Sequence, residues 1–142
     1  MSDVDVEVIR DLEHSAESVW AVVSNFGDLS WAGDPQTEVI GSGPGMIRRL
    51  TIPGLPEPIE EVMDGIDHDA RVLRYSIPRG LPMPIGNYRA SARVESRGPA
   101  GCRVYWRGMA TPQGVSAEQA TAILQGTYAQ LLDWLGARMQ QG

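Results

Sequence analysis

The chain has 142 residues, of which 42% are hydrophobic and 21% charged, and its formal net charge is −6. These values are typical of one globular domain with a single core, so we predict one domain over residues 1–142. The excess of acidic residues disfavours a nucleic acid or an anionic membrane as partner. All 12 basic residues are arginines, which excludes a Schiff-base lysine and a lysine general base.

The single cysteine, Cys102, has no partner for an internal disulfide and cannot form a thiolate cluster. The first residues are acidic and lack the apolar core of a signal peptide. No apolar run approaches the roughly 18 residues that a membrane-spanning helix needs. We therefore expect a cytoplasmic protein without integral membrane association.

The first predicted elements are a strand and a helix. Valines alternate with acidic residues from Val4, which indicates a half-buried strand to about Leu12. Ser15 is placed to cap a short helix over about Ala16–Ser24. A second short helical turn is expected over Phe26–Trp31, before a Gly-Asp-Pro sequence interrupts the chain.

Six further strands are predicted, separated by short turns rich in glycine, proline and aspartate. Connections this short favour an antiparallel meander. The predicted strands are Thr37–Ile40, Met46–Ile52, Ile59–Ile66, Arg71–Ile77, Tyr88–Ser96 and Cys102–Ala110.

The last predicted element is a long amphipathic helix over about Ser116–Met139, which begins with a capping box of Ser116 and Gln119. Its apolar stripe is predicted to consist of Ala120, Ile123, Thr127, Leu131 and Leu135, with Leu124 and Trp134 beside it. A sheet cannot cover its own apolar face, so this helix must lie across it. The predicted fold class is α+β: a seven-stranded curved antiparallel sheet with two short helices and a long C-terminal helix.

Two proline-rich loops join the middle strands, IPGLPEP at residues 52–58 and IPRGLPMPI at residues 77–85. Both carry apolar side chains that need a surface to cover, and a ligand cavity would provide one. We predict that Leu55 of the first loop closes over a cavity mouth against Met83 and Ile85 of the second. Gly54 gives the first loop freedom to move, and its prolines limit the conformations it samples.

This order of elements resembles the START-like (SRPBCC) helix-grip superfamily. The resemblance rests on the segments GMIRRL, PGLP, EEVMDGID, RVLRYSIP and GNYRASARV and on the final helix, and it covers nearly the whole chain. The superfamily includes birch-pollen-allergen-like proteins, bacterial polyketide cyclase/dehydrase-like proteins and plant abscisic-acid receptors. The gate loop of those receptors has a Gly-Leu-Pro core, which Gly54-Leu55-Pro56 resembles, and their latch would correspond to Met83-Pro84-Ile85.

Strand alternation assigns the inward side chains of most strands. In the fourth strand the pattern is ambiguous, and the resemblance implies that Glu61 points inward. If Ile52 pairs with Ile59 across the hairpin, Arg48 lies diagonally from Glu61 and the two form a buried ion pair. This pair either serves a structural role by mutual neutralisation or orients a polar group of a ligand.

The predicted ligand-binding residues come from the two loops, the inner faces of the strands and the helix stripe. They are Arg48, Leu50, Leu55, Glu61, Met63, Tyr75, Ile77, Met83, Ile85, Tyr88, Ala90, Trp106, Ile123, Thr127 and Leu131.

Two classes of function fit this pattern. The first is a carrier or sensor that binds a small hydrophobic molecule between the sheet and the C-terminal helix. The second is a cofactor-independent cyclase, dehydratase or isomerase that acts on a polyketide-like or aromatic substrate, with Glu61 and Tyr88 as acid–base groups. A third, a partner-binding or chaperone-like module, would show a large exposed apolar patch and no cavity.

Neither of the first two functions implies a cofactor. His14 and His68 stand in polar segments, and the sequence has no metal-ligand spacing, so we predict no metal site. The expected partner is a small hydrophobic molecule, not a nucleic acid, and the expected assembly is a monomer or homodimer.

Overall fold

The computed structural model of the protein describes residues 3–141 and contains one seven-stranded antiparallel sheet, one short helix and one long helix. In chain order the elements are β1 (Val4–Leu12), α1 (Ala16–Val23), β2 (Gln36–Ile40), β3 (Ile47–Thr51), β4 (Ile59–Asp67), β5 (Val72–Arg79), β6 (Ile85–Ser96), β7 (Cys102–Pro112) and α2 (Ala117–Gln141). The strand order is β1-β7-β6-β5-β4-β3-β2, so β2 to β7 form a meander and β1 adds to its end. This confirms the predicted fold class.

Both helices begin at the predicted caps. The Ser15 side chain accepts a hydrogen bond from the Ser18 backbone N–H at 3.1 Å. At the start of α2, the Gln119 N–H donates to the Ser116 hydroxyl at 3.0 Å, and the Ser116 N–H donates to the Gln119 side chain at 2.9 Å. This is the reciprocal capping box that the sequence predicts.

The second short helix predicted over Phe26–Trp31 does not form, and this segment consists of turns. The Asp28 side chain accepts a hydrogen bond from the Ser30 backbone N–H at 2.9 Å, a local bond that competes with helical pairing. Gly33 and Asp34 then adopt positive φ angles of 79° and 49°, which end any helical path. The fold therefore has one short helix before the meander, not two.

The second proline-rich loop is shorter than the sequence indicates. β5 continues to Arg79, and β6 begins at Ile85, which pairs with Pro112 of β7. Ile85 is buried in the sheet, and only residues 80–84 remain between β5 and β6. Gly80, at a φ of 78°, passes so close to the backbone of Pro58 that a side chain there would overlap it. The ends of the two proline-rich loops are therefore packed together.

The buried face of α2 differs from the predicted stripe. Ala120 and Leu135 are buried as predicted, but the residues between them on the buried face are Leu124, Tyr128 and Leu132. The predicted Ile123, Thr127 and Leu131 are half-buried beside that face. Both rows are spaced by four residues, so the sequence alone does not distinguish two faces that differ by a rotation of about 100°.

The long helix packs mainly against β1 and β7. The concave face of β3, β4 and β5 is therefore not covered by the α2 backbone, and the turns at 26–35 face it instead. No helix within residues 3–141 is long and apolar enough to cross a membrane.

Candidate functional site

A cavity of about 680 Å³ lies on the side of the sheet that α2 leaves uncovered. Its inner end is lined by buried side chains, which are Val23, Leu29, Trp31, Arg48, Leu50, Glu61, Leu73, Tyr75 and Trp106. Its mouth is lined by half-buried or exposed residues, which are Ala32, Gly33, Asp34, Pro35, Gln36, Thr51, Ile52, Pro53, Leu131 and Trp134. The cavity is thus mainly apolar and aromatic inside and opens between α2, the turn before β2 and the first proline-rich loop.

An ion pair between Arg48 and Glu61 is the charged feature of the inner wall. The Arg48 Nε donates to Glu61 Oε1, and Arg48 Nη1 donates to the backbone carbonyl of Phe26 at 3.0 Å. The guanidinium carbon lies 3.9 Å from the centre of the Phe26 ring and 5.2 Å from that of Tyr75, which are cation–π distances. The structure confirms the predicted buried pair.

The register that places this pair differs from the prediction. Arg48 lies directly opposite Glu61, and Leu50 pairs with Ile59, so the predicted pairing of Ile52 with Ile59 is wrong. The loop between β3 and β4 opens two residues earlier because its prolines have no N–H to donate to a ladder. Ile52 is consequently free of the sheet and lines the cavity mouth.

The second oxygen of Glu61 has contact with the cavity. No residue in 3–141 donates a hydrogen bond to Oε2. In the same range, every side-chain oxygen or nitrogen that is fully buried has a hydrogen-bond partner, so Oε2 is not fully buried. Since Glu61 is nearly buried and lines the cavity, Oε2 must be accessible from within it. The wall therefore offers one unoccupied carboxylate oxygen to a ligand.

Three aromatic residues form the wall next to this ion pair. The Trp106 indole N–H donates to the Tyr75 hydroxyl at 3.1 Å, and the Trp31 ring packs 6.2 Å from the Trp106 ring. Burial, opposed by the nearby Arg48 charge and reinforced by Glu61, raises the pKa of Tyr75 to about 12. Tyr75 is therefore a neutral hydroxyl at any physiological pH.

The other half of the concave face is filled by a pair of tyrosines. The hydroxyl groups of Tyr88 and Tyr128 lie 2.6 Å apart, and burial raises the pKa of both. Tyr128 fits here because Gly108 of β7 has no side chain, since a Cβ at that position would overlap the Tyr128 hydroxyl. Tyr88 is therefore bonded within the core and does not line the cavity.

The structure brings six of the predicted site residues together at the cavity. They are Arg48, Leu50, Glu61, Tyr75, Trp106 and Leu131. The other predicted residues do not line it. Met63, Ile85, Tyr88 and Ala90 are buried in the core. Leu55, Ile77 and Met83 are half-buried against the core, and Ile123 and Thr127 are half-buried on α2.

The second proline-rich loop rests on α2. The Thr127 hydroxyl lies 3.7 Å from the Met83 sulfur and donates to the Ile123 carbonyl at 2.9 Å. Leu55 of the first loop is half-buried and also packs against the core. Both loops thus have apolar contacts with the rest of the protein.

The sequence predicts Trp31 and Trp134 as core or cavity-rim residues, but it does not predict that the segment before β2 forms one side of the site. Trp31 and residues 32–36 form one side of the cavity, and Trp134 of α2 stands opposite Gly33. A Cβ on Gly33 would lie 3.3 Å from the Trp134 ring, so the turn and the helix meet at the mouth. Two signals could have indicated this side of the cavity. Trp31 stands in a segment otherwise rich in turn residues, and Trp134 is an exposed tryptophan on a helix.

Comparison with known proteins agrees with this architecture. The sequence model of the family described as "Polyketide cyclase / dehydrase and lipid transport" matches residues 3–140, and the chain therefore belongs to that family. This confirms the resemblance that the sequence segments indicate, and it supports a fold that binds hydrophobic ligands.

Solved structures show the same fold. An uncharacterised protein from Bacillus thuringiensis is 26% identical, with 95% of this chain and 98% of that chain covered and a TM-score of 0.82. A protein from Thermobifida fusca is also 26% identical, with 94% and 91% covered and a TM-score of 0.82. Norcoclaurine synthase from Thalictrum flavum, solved in complex with dopamine and hydroxybenzaldehyde, is 19% identical, with 99% and 88% covered and a TM-score of 0.78. No curated protein matches the chain.

Proposed function

We propose that this protein binds a small hydrophobic molecule, as a carrier or sensor, in the cavity between β2–β5 and α2. The observation that carries this proposal is the cavity itself. Its volume of about 680 Å³ lies within the range of small-molecule sites, and its inner wall is apolar or aromatic except for one ion pair.

The polar groups of the wall limit the chemistry of the ligand. Glu61 offers a carboxylate oxygen, which accepts hydrogen bonds, and Arg48 already donates to Glu61 and to a backbone carbonyl. The Tyr75 hydroxyl accepts from Trp106. The ligand that fits best is an aromatic or polycyclic molecule with one hydroxyl group that donates to Glu61.

A blocking substitution tests the location of the site. Ala32→Trp places a large ring at the mouth, where Ala32 is half-buried, and Ala122→Trp is the matched control on an exposed position of α2 away from the cavity. We expect the fluorescence enhancement of the neutral probe N-phenylnaphthylamine to be lost in Ala32→Trp and retained in Ala122→Trp. Equal binding by both variants, at equal thermal stability, would contradict the proposed site.

A pair of small probes tests the role of Glu61. Naphthol and naphthalene have nearly the same shape and differ in one hydroxyl group. Hydrogen bonds to charged groups contribute about 1.5–3 kcal/mol, so naphthol should bind roughly ten- to a hundred-fold more tightly. Equal affinities would show that Glu61 does not contact the ligand. Native mass spectrometry of the purified protein would identify a ligand that is retained from the cell.

A cofactor-independent cyclase, dehydratase or isomerase is the second candidate. The observation that favours it is the unoccupied Glu61 oxygen in an apolar cavity, where a carboxylate is a suitable acid–base group. Tyr88, the predicted second group, does not line the cavity, and Tyr75 stands nearer to Glu61 in the wall. The Tyr75 hydroxyl would therefore be the partner of Glu61 in catalysis.

Turnover distinguishes the two candidates. The protein is incubated with an aromatic polyketide-like ketone, and product formation is followed by mass spectrometry. For an enzyme, Glu61→Gln should abolish turnover while naphthalene still binds. Absence of turnover in the wild type, with tight binding of the same ketone, would favour the carrier or sensor.

A further inference from the structure

The outer face of the sheet carries a cluster of arginines around one serine. Ser91 of β6 pairs with Arg74 of β5 on one side and with Arg107 of β7 on the other. Arg89 and Arg93 lie two residues before and after Ser91, on the same face of the same strand. Four guanidinium groups therefore surround a short polar side chain on the face opposite the cavity.

This cluster encloses a crevice of about 280 Å³. Arg74, Arg89, Arg107 and Ser91 line it, and the small residue Gly108 forms part of its base. The crevice exists because Ser91 has a short side chain, whereas its neighbours on the same face are arginines. We name it the Ser91 crevice. It has no residue in common with the cavity except Tyr75, which lies between the two.

The arginines of the cluster are not all neutralised. Arg107 donates to Asp5 at 2.8 Å, and Arg93 lies 3.5 Å from Glu95 and stacks over the Tyr105 ring. Within residues 3–141, Arg74 and Arg89 have neither an ion pair nor a side-chain hydrogen bond.

One acidic side chain, Asp64, also lines the crevice, and it accepts a hydrogen bond from Ser76 at 3.1 Å. Two guanidinium groups without partners thus face a single carboxylate, in a chain whose net charge is −6. The crevice has a local excess of positive charge.

We propose that the Ser91 crevice binds a phosphate group, held by Arg74 and Arg89 with a hydrogen bond from the Ser91 hydroxyl. Guanidinium groups present paired N–H donors that match the oxygens of a phosphate, and arginine is enriched where phosphate is recognised. The site is separate from the hydrophobic cavity and does not depend on the function proposed for it. The phosphate group belongs to a free anion, to a small phosphomonoester or to a phospholipid headgroup, and these share the same recognition chemistry.

Three ligands distinguish the sources. Inorganic phosphate and phenyl phosphate are titrated against isotope-labelled protein at constant ionic strength, with chloride as the balancing anion, and backbone amide shifts are recorded. Sedimentation with vesicles of phosphatidic acid in phosphatidylcholine provides the third arm. We expect saturable shifts confined to β5, β6 and β7 for a soluble ligand, or co-sedimentation for the headgroup.

Single substitutions that each remove one arginine charge test the location of the site. Arg74→Gln and Arg89→Gln should each weaken binding of the responding ligand roughly tenfold or more, as expected for the loss of a charge-assisted hydrogen bond. Arg79→Gln is the matched control, since Arg79 is exposed on β5, carries the same charge and does not line the crevice. No saturable response to any of the three ligands would overturn the proposal. An equal loss of binding affinity in Arg79→Gln would also overturn the proposal, because the ligand would then respond to the net charge of the protein and not to a specific site.

Discussion

The two halves of the concave face use the same kinds of residue to opposite effect. Over β6 and β7, Tyr128 of α2 fills the space against Gly108 and bonds to Tyr88. Over β3, β4 and β5, Tyr75 of β5 forms a wall together with the Trp106 side chain, which comes from β7, and a cavity lies in front of this wall. Both halves contain buried aromatic side chains with bonded polar atoms, so residue type does not separate them.

What separates the halves is the position of α2. The helix lies over β1 and β7, where Gly108 allows close approach of a large side chain. On the other side, only Leu131 and Trp134 of this helix extend to the cavity, and they do so at its mouth. A binding cavity in this fold is therefore the part of the sheet that the helix does not cover. We call the two regions the filled half and the open half.

Substitutions in the Arg48–Glu61 pair of the open half should have the largest effect on stability. Glu61→Leu leaves the buried Arg48 charge without a partner, and we expect a loss of about 3–5 kcal/mol in the free energy of unfolding. Arg48→Met combined with Glu61→Leu should recover most of that loss, since apolar replacement of a whole buried pair is often neutral. Urea unfolding of both variants measures the effect. A loss below about 1 kcal/mol in Glu61→Leu, the value of an exposed pair, would mean that water in the cavity solvates Arg48.

High pH tests whether the tyrosines of both halves are as buried in solution as they are in the structure. Tyr75 has a folded pKa of about 12 against an ordinary value of 10.0, so the unfolded chain loses this proton first. Its contribution is fully present below pH 10 and is lost as the pH rises toward 12, at about 1.4 kcal/mol per pH unit. Tyr88 and Tyr128, whose pKa values are also raised, act in the same direction.

The measurement is the free energy of unfolding between pH 10 and pH 12, with tyrosinate absorbance recorded in parallel. Tyr75→Phe should reduce the decline in stability over this range. An unchanged decline would show that Tyr75 is hydrated from the cavity. The tyrosine of the open half would then differ from Tyr88 and Tyr128 of the filled half in its exposure to water.

The first proline-rich loop tests how the open half closes. If Leu55 closes over the mouth, as predicted from the sequence, Leu55→Ala should remove the burial of one leucine, about 1.5–3 kcal/mol, and speed ligand release roughly ten- to a hundred-fold. If the loop stays as it is in the structure, Ile52→Ala should have the larger effect, because Ile52 lines the mouth and Leu55 does not.

Release rates of N-phenylnaphthylamine from the two variants, with melting temperatures of the empty proteins, distinguish these outcomes. Leu55 is half-buried against the core in the structure. A marked loss of stability in the empty Leu55→Ala protein with an unchanged release rate would assign Leu55 to the core.

A substitution at Gly108, in the filled half, should have the smallest effect on stability. Gly108→Ala forces a Cβ into the Tyr128 hydroxyl, and overpacking of this kind costs about 1–3 kcal/mol. Gly126→Ala is the matched control in α2, where an added Cβ meets nothing within 4 Å and should stabilise the helix by about 0.5–1 kcal/mol. Thermal unfolding compares them. Tolerance of Gly108→Ala would mean that Tyr128 has room to move, and the filled half would not be closely packed.

Much of the fold could be predicted because its signals are local. Alternation of apolar residues marks the strands, and the Ser116–Gln119 capping box marks the start of α2, since these patterns depend on neighbours in the chain. The second short helix failed for an equally local reason, which is the competing hydrogen bond to Asp28.

The sequence by itself determined the strands and their antiparallel order, because periodicity and turn residues act over a few positions. The inward position of Glu61, which its pairing with Arg48 requires, came from the family resemblance, because the alternation of β4 is ambiguous. Tertiary structure decided the β3–β4 register, the buried face of α2 and the side of the sheet that stays open. Two rows of α2 are apolar, and the row that contains Tyr128 is the one that fits the gap at Gly108 of β7. This fit places the helix over one half of the sheet and leaves the cavity over the other. A cavity is the space between distant elements, and no local pattern in the chain encodes it.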